Sequence, residues 1–285
     1  IYLIMTYKLN LKKFDLNMIK DDAVCVFIGR RRTGKSYCLK DLLFRNRDIP
    51  FGTVISATED ASPFFEDFVP KSYIFTEFKE EIVKDIINRQ KKILKTVATQ
   101  NLTNVDPRVF IVLDDCLYDD SWSRTKAIRN IFMNGRHYKI LFCLTMQYPL
   151  GVPPALRSNI DYTIIMREPY ISNRKKIYEN YAGMFPDFSM FCQVMDSLQQ
   201  YECLILNNNA DSNKLKDQVF WYKADKRDDF KMGGKQYWDY HNANYNKIKA
   251  KRECDGDIDD YQQKNRVTLD INKYGFNLTS PVSDE

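Results

Sequence analysis

Short apolar runs separated by amphipathic stretches set the plan of this chain. Residues 23–28 (AVCVFI) are continuously apolar, and Gly29 stops the run. A run of that kind reads as a parallel strand buried on both faces. Residues 35–46 follow with apolar positions at 38, 39, 42 and 43, the spacing of a helix with one buried stripe. Residues 52–57 (GTVISA) predict a second strand and residues 73–75 a short third. Residues 80–96 predict a long helix with Ile82, Ile86, Ile87, Ile93 and Leu94 in register, and residues 98–107 are polar and loop-like. Residues 109–113 (VFIVL), 140–146 (ILFCLTM) and 162–166 (YTIIM) are further buried strands. Residues 122–134 predict a helix capped by Ser121, and two more helices fall within residues 172–198. Residues 202–206 and 219–222 read as late strands, and the short connection about NNNADSN makes them an antiparallel hairpin at the sheet edge.

Strands alternating with helices predict an α/β fold, a mainly parallel sheet flanked by helices. From residue 224 the chain turns polar and loses its strand signals. We therefore divide it into residues 1–223 and a polar C-terminal arm, 224–285, read as a docking arm or a partly disordered appendage. Within the arm, residues 235–252 predict a helix with Trp238, His241, Tyr245 and Ile248 on one face. Asp255-Gly256-Asp257-Ile258-Asp259 opens like a calcium-binding EF-hand loop. Asp260 stands where that loop needs glycine and Arg266 where it needs a bidentate glutamate, so the stretch reads as a solvated acidic turn.

Charge and composition sharpen this only in part. The net charge is +5. The arm holds 11 Lys/Arg against 12 Asp/Glu, which leaves 32 against 26 in the remainder. That positive balance permits a nucleic-acid partner without requiring one. Seven cysteines show no C-x-x-C pair and there are only two histidines, so free thiols in a reducing compartment are expected rather than zinc or disulfides. No apolar run approaches ~20 residues, the length of a membrane span. Residues 1–7 are too short for a secretory signal, and Met5 is a candidate initiator.

The chemistry begins where the first strand stops. Gly29-Arg30-Arg31-Arg32-Thr33-Gly34-Lys35-Ser36 matches G-x-x-x-x-G-K-[ST] at every fixed position, between a strand and a helix. In this P-loop the glycines let the backbone bend so that successive N–H groups face phosphates. The helix N-terminus adds a positive dipole end. Lys35 places its ammonium on the β- and γ-phosphates of ATP, and Ser36 offers a hydroxyl to Mg²⁺. Arg30, Arg31 and Arg32 raise the local positive potential or face a neighbouring subunit; contact with DNA is the other reading. A second apolar strand ends in Asp114-Asp115. We assign Asp114 to the Mg²⁺ shell and Asp115 to the attacking water, with a plain turn before Cys116 as the alternative for Asp115. Gln147 closes a further strand, where an amide can sense the γ-phosphate and position water, or simply end the strand.

These segments together, the arginine-rich P-loop, GTVISATE, IVLDDC and NGRHYKILFCLTMQYP, resemble the DNA-packaging ATPases of nucleocytoplasmic large DNA viruses. That poxvirus-type group belongs to the FtsK/HerA superfamily of P-loop NTPases. The resemblance covers roughly residues 14–222. It implies an extra strand between the two nucleotide motifs, for which residues 140–146 are the candidate, placing Gln147 beside the γ-phosphate. It also implies a homo-oligomeric ring, double-stranded DNA in the pore and an arginine finger in trans. Arg157 is the first choice for the finger and Arg136 the second. The site of action would be the host cell cytoplasm, at the viral assembly site, or the virion, with a capsid or membrane-associated viral protein as a further partner. Many superfamily members carry Asp-Glu at the second motif, so the shorter Asp115 leaves the base assignment open. Two other functions compete with a DNA-translocating motor: a P-loop kinase acting on a small molecule, and a nucleotide-dependent scaffold with little turnover.

Overall fold

The apolar runs become strands of one sheet. The computed structural model describes residues 10–116, 120–263, 270–272 and 275–277, so Met5 lies outside the described residues. The first half of the chain forms β1 (Lys12–Lys13), β2 (Val24–Ile28), α1 (Lys35–Arg45), β3 (Phe51–Ser56), β4 (Ile74–Phe75), α2 (Glu80–Gln100), β5 (Val109–Asp114) and α3 (Lys126–Asn134). The second half forms β6 (Ile140–Met146), α4 (Pro154–Arg157), β7 (Tyr162–Met166), α5 (Ile171–Tyr181), α6 (Phe188–Ser197), β8 (Glu202–Asn207), α7 (Leu215–Gln218), β9 (Val219–Lys223) and α8 (Lys235–Gln263). A separate antiparallel pair joins β10 (Asp270–Asn272) to β11 (Gly275–Asn277).

The strand order β1-β9-β8-β7-β2-β6-β5-β3-β4 puts β6 between β2 and β5, the extra strand expected between the nucleotide motifs. From β7 to β4 every pairing is parallel. β8 is antiparallel to both β7 and β9. The expected hairpin is thus present, but β1 runs parallel to β9 outside it and forms the edge. A two-residue strand of lysines carries no apolar pattern to announce it.

Pleating sends successive side chains to opposite faces, and both faces are buried. Val26, Ile111, Phe142 and Leu144 face a core completed by Val83 and Ile87 of α2, Ile128 and Ile131 of α3 and Phe191 of α6. Cys25, Phe27, Val112 and Cys143 face the other side, against Leu39, Leu42 and Leu43 of α1. This explains why the strands read as unbroken apolar runs rather than as alternating ones.

Packing continues beyond residue 223. The chain divides into compact units Ile1–Asp239 and Tyr240–Glu285, so the first extends past the expected boundary. Met232 and Tyr237 are fully buried in the core on the α1 side of the sheet. The N–H groups of Met232 and Gly233 donate to Phe68 O and Arg47 O at 2.8 and 2.9 Å, and Tyr237 OH donates to Gly52 O at 2.6 Å. Gly233 has φ +79, and a Cβ there would stand 2.8 Å from Pro50 O. In the second unit, His241 and Tyr245 rings lie 4.8 Å apart, on the face the helical spacing predicts.

Three local expectations change. The α3 helix is capped by Thr125, whose side chain accepts from Ile128 N; Ser121 falls in a preceding 3-10 turn, Asp120–Arg124. Helix α2 reaches Gln100, with the Thr96 and Thr99 hydroxyls bonded back to Lys92 O and Lys95 O, and Asn101 ends it at φ 50. Residues 255–260 belong to α8 rather than to a turn.

Candidate nucleotide site

The P-loop lies at the carboxyl ends of the parallel strands, where open α/β sheets bind ligands. Gly29 leaves β2 with its N–H donating to Met146 O at 3.1 Å. A Cβ on Gly29 would meet Met166 Cβ at 2.5 Å, so only glycine passes between β2 and β7 there. Arg32 and Gly34 both take left-handed backbone, φ 62 and φ 101, and Gly34 is the N-cap of α1. Thr33 Oγ1 closes the loop by donating to Arg30 O at 2.7 Å. The result is a curled backbone opening directly into a helix N-terminus, the geometry that cradles phosphate.

Lys35 is buried, and its Nζ donates to Gly29 O at 2.6 Å and Arg30 O at 3.1 Å. Burial lowers its pKa, the negative fields of Asp115 and Asp114 oppose that shift, and Arg31 adds to it. Arg30, Arg31 and Arg32 are exposed around the loop, and Ser36 is half-buried at the start of α1.

Register brings the acidic pair to the same place. Ser56 of β3 and Thr145 of β6 stand on either side of Asp114. Thr145 Oγ1 donates to Asp114 Oδ1 at 2.7 Å and Ser56 Oγ to Oδ2 at 3.1 Å. Asp114 is nearly buried, and burial raises its carboxyl pKa, with Asp115 pushing the same way and Thr145, Ser56 and Lys35 opposing. An ionised carboxylate has about four acceptor sites. Two remain on Asp114 for waters around a hard cation, so Ser36 and Asp114 fit Mg²⁺, which prefers a few oxygen ligands and retained water.

Asp115 steps out of the strand at φ 51, a left-handed conformation that concentrates at functional sites when glycine is absent. Its N–H donates to Thr145 Oγ1 at 3.2 Å, and its Oδ2 accepts from Gln147 Nε2 at 2.7 Å. The two residues assigned to water are therefore in direct contact. Thr145 and Ser56 escaped the sequence reading, although a hydroxyl near the end of an apolar strand was a visible signal. Behind the pair, burial raises the Cys116 thiol to about 12.

The two candidate fingers differ. Arg157 Nε donates to Val152 O at 2.8 Å, its guanidinium also bonds Asn180, and it lies 5.4 Å from the Tyr181 ring centroid. These contacts hold it against its own chain. Arg136 is exposed in the turn Gly135–Tyr138 that precedes β6. None of these Arg157 contacts involves the P-loop.

Six cysteines, Cys25, Cys38, Cys116, Cys143, Cys192 and Cys203, are free thiols, and no cluster of three or more potential metal ligands occurs among the described residues. No helix among them is long and apolar enough to cross a membrane.

Comparison with known proteins gives a consistent picture. The model of the family described as Poxvirus A32 protein matches residues 11–236. Protein L437 of Acanthamoeba polyphaga mimivirus is 38% identical over 244 residues, covering 84% of this chain and 85% of its own length. Protein 075L of Invertebrate iridescent virus 6 is 35% identical over 260 residues, with 86% and 98% covered. Among solved structures, the genome packaging NTPase B204 of Sulfolobus turreted icosahedral virus 2, in complex with sulfate, superposes with a TM-score of 0.52 at 18% identity. That match covers 73% of this chain and 99% of B204 and shows a shared fold.

Proposed function

This chain belongs to the Poxvirus A32 protein family, and from that premise we propose that it is an ATP-hydrolysing motor that moves double-stranded viral DNA into a capsid. The observation that carries the chemistry is the Gln147–Asp115 contact beside the P-loop. The curled loop and Lys35 bind the triphosphate and offset its charge. Asp115 accepts the proton of an attacking water while Gln147 holds that carboxylate and the water in line. Ser36 and Asp114 would hold Mg²⁺, which would supply charge neutralisation at the phosphate oxygens. Asp114 in turn is oriented by Thr145 and Ser56, and Thr145 also bonds the Asp115 N–H. One threonine therefore ties the Asp114 carboxylate to the backbone of Asp115.

The shared fold with B204, a genome packaging NTPase, suits the same task. A motor that must pass any sequence grips phosphates rather than base edges. Lys91, Lys92 and Lys95 are exposed along α2, in a run from 86 to 105 without an acidic residue, and suit that grip. In a ring of identical subunits an arginine from the neighbour completes each site. Of the two candidates Arg136 is exposed, whereas Arg157 would have to leave its internal partners. The unit Tyr240–Glu285 is the part we assign to docking on a viral partner at the assembly site.

The test is ATP turnover of the assembled protein with and without duplex DNA, paired with a salt titration of DNA binding. Turnover should rise with DNA, and log K should fall with log salt as counterions are released. Lys35→Ala should abolish both basal and stimulated turnover. Turnover indifferent to DNA of any length would reject the motor in favour of a scaffold or a small-molecule kinase.

A further inference from the structure

The sheet order decides where the rest of the nucleotide must go. Asp114 ends β5 and Gln147 follows β6, both on one flank of β2. The terminal phosphate points to that flank in the proposed reaction. The base must then leave the P-loop on the opposite flank, over β7 and β8. Because β8 is antiparallel to β7, with Cys203 opposite Met166, the residue preceding β8 emerges at the same end of the sheet as the segment following β7. Those positions hold Tyr201 and Tyr170.

Both residues are exposed, each at 54%, although aromatic side chains usually bury their area. Both also stand beside the P-loop. Tyr201 Cδ1 lies 3.4 Å from the point where a Cβ would stand on Gly34. The Arg30 guanidinium stands 4.6 Å from the centroid of the Tyr170 ring. Tyr201 holds this place with φ 64, a left-handed backbone that side-chain-bearing residues seldom adopt. Such outliers persist where the surroundings over-determine them, and they cluster at ligand-binding positions.

We propose that Tyr201 and Tyr170, with Arg30, form the stacking platform for the nucleotide's purine base. The inference rests on the ATP-binding reading of the P-loop and adds the base subsite to it. Flat aromatic faces and a guanidinium plane recognise a base by its π-surface. Tyr201, against Gly34, carries the larger share, because Arg30 already covers one face of Tyr170.

The experiment compares ATP with inorganic tripolyphosphate, which has the phosphates and no base. Affinities are measured by calorimetry with Mg²⁺ on the full chain and on Tyr201→Ala, Tyr201→Phe and Tyr170→Ala. Base–aromatic stacking lost to alanine corresponds to about a tenfold drop in affinity or more. Tyr201→Ala should therefore weaken ATP about tenfold and leave tripolyphosphate unchanged, which also reports that the P-loop is folded. Tyr170→Ala should show a smaller loss of the same kind, and Tyr201→Phe should bind both ligands like the wild type. An unchanged ratio of the two affinities in both alanine variants overturns the platform. So does equal loss of both ligands in Tyr201→Ala, which would make Tyr201 a support of the loop, or a loss in Tyr201→Phe as large as in the alanine variant. A wild type that binds neither ligand would instead reject the nucleotide site itself.

Discussion

Asp41→Ala tests whether the segment after β9 is bolted to the helix that carries the P-loop lysine. Asp41 lies on α1 with no exposed surface. Its Oδ1 accepts from Arg227 Nε at 2.6 Å, and its Oδ2 accepts from Tyr222 OH at 2.5 Å and Asp225 N at 2.9 Å. Alanine leaves three donors without their acceptor, one of them a cation. Breaking a buried ion pair from one side costs about 3–5 kcal/mol. The Arg227 side chain keeps 16% of its surface in water, so the lower end, about 3 kcal/mol, applies. For a chain of this size each kcal/mol moves Tm by roughly 2–4 °C, so a fall of about 6–12 °C is expected. Tyr222→Phe removes a single hydrogen bond worth about 1 kcal/mol and should lower Tm by a third as much. Asp41→Asn should fall between them, since it keeps an acceptor for Arg227 but presents an N–H to the Asp225 N–H. The assay is reversible thermal unfolding by circular dichroism without nucleotide. A Tm for Asp41→Ala within about 2 °C of wild type, or a loss for Tyr222→Phe as large as for Asp41→Ala, would show that the cluster does not act as a buried ionic bolt.

Two further predictions concern the acidic pair. Asp115→Asn keeps an oxygen to accept from Gln147 but cannot take a proton, so Mg²⁺ and ATP should bind as before while turnover collapses; an equal loss of binding would make Asp115 a metal or structural group. Asp114 has its carboxyl pKa raised, chiefly by burial, so the unfolded chain releases this proton first and stability is lost as pH rises above about 3.9, the ordinary Asp value. Without ligands, Asp114→Asn should therefore melt higher than wild type at pH 7, with the advantage fading below about pH 4, while its ATPase activity is lost. A variant that melts lower than wild type at pH 7 would refute the cost assigned to that buried charge.

Local pattern alone determined the elements that build the site. An apolar run stopped by Gly29 and followed by helical spacing specifies strand, P-loop and helix, because hydrophobic periodicity and glycine's backbone freedom act over a few residues. The same holds for the strands ending at Asp114 and before Gln147. What the chain could not disclose locally depends on strands far apart in sequence lying side by side. Ser56 and Thr145 become partners of Asp114 only through the register of β3 and β6 against β5. Asp41, a charge on the apolar face of α1, finds Tyr222 and Arg227 only after the sheet has folded. The polar composition after residue 224 suggested a loose arm, yet Met232 and Tyr237 are buried, since two side chains and a few backbone bonds suffice to hold a segment that has no strand of its own. Tyr170 and Tyr201 meet the P-loop because β8 reverses direction beside β7. Side-chain periodicity shows which face of an element is buried, but strand order and direction come from the summed packing of the whole sheet, and that sum decides which distant residues share a site.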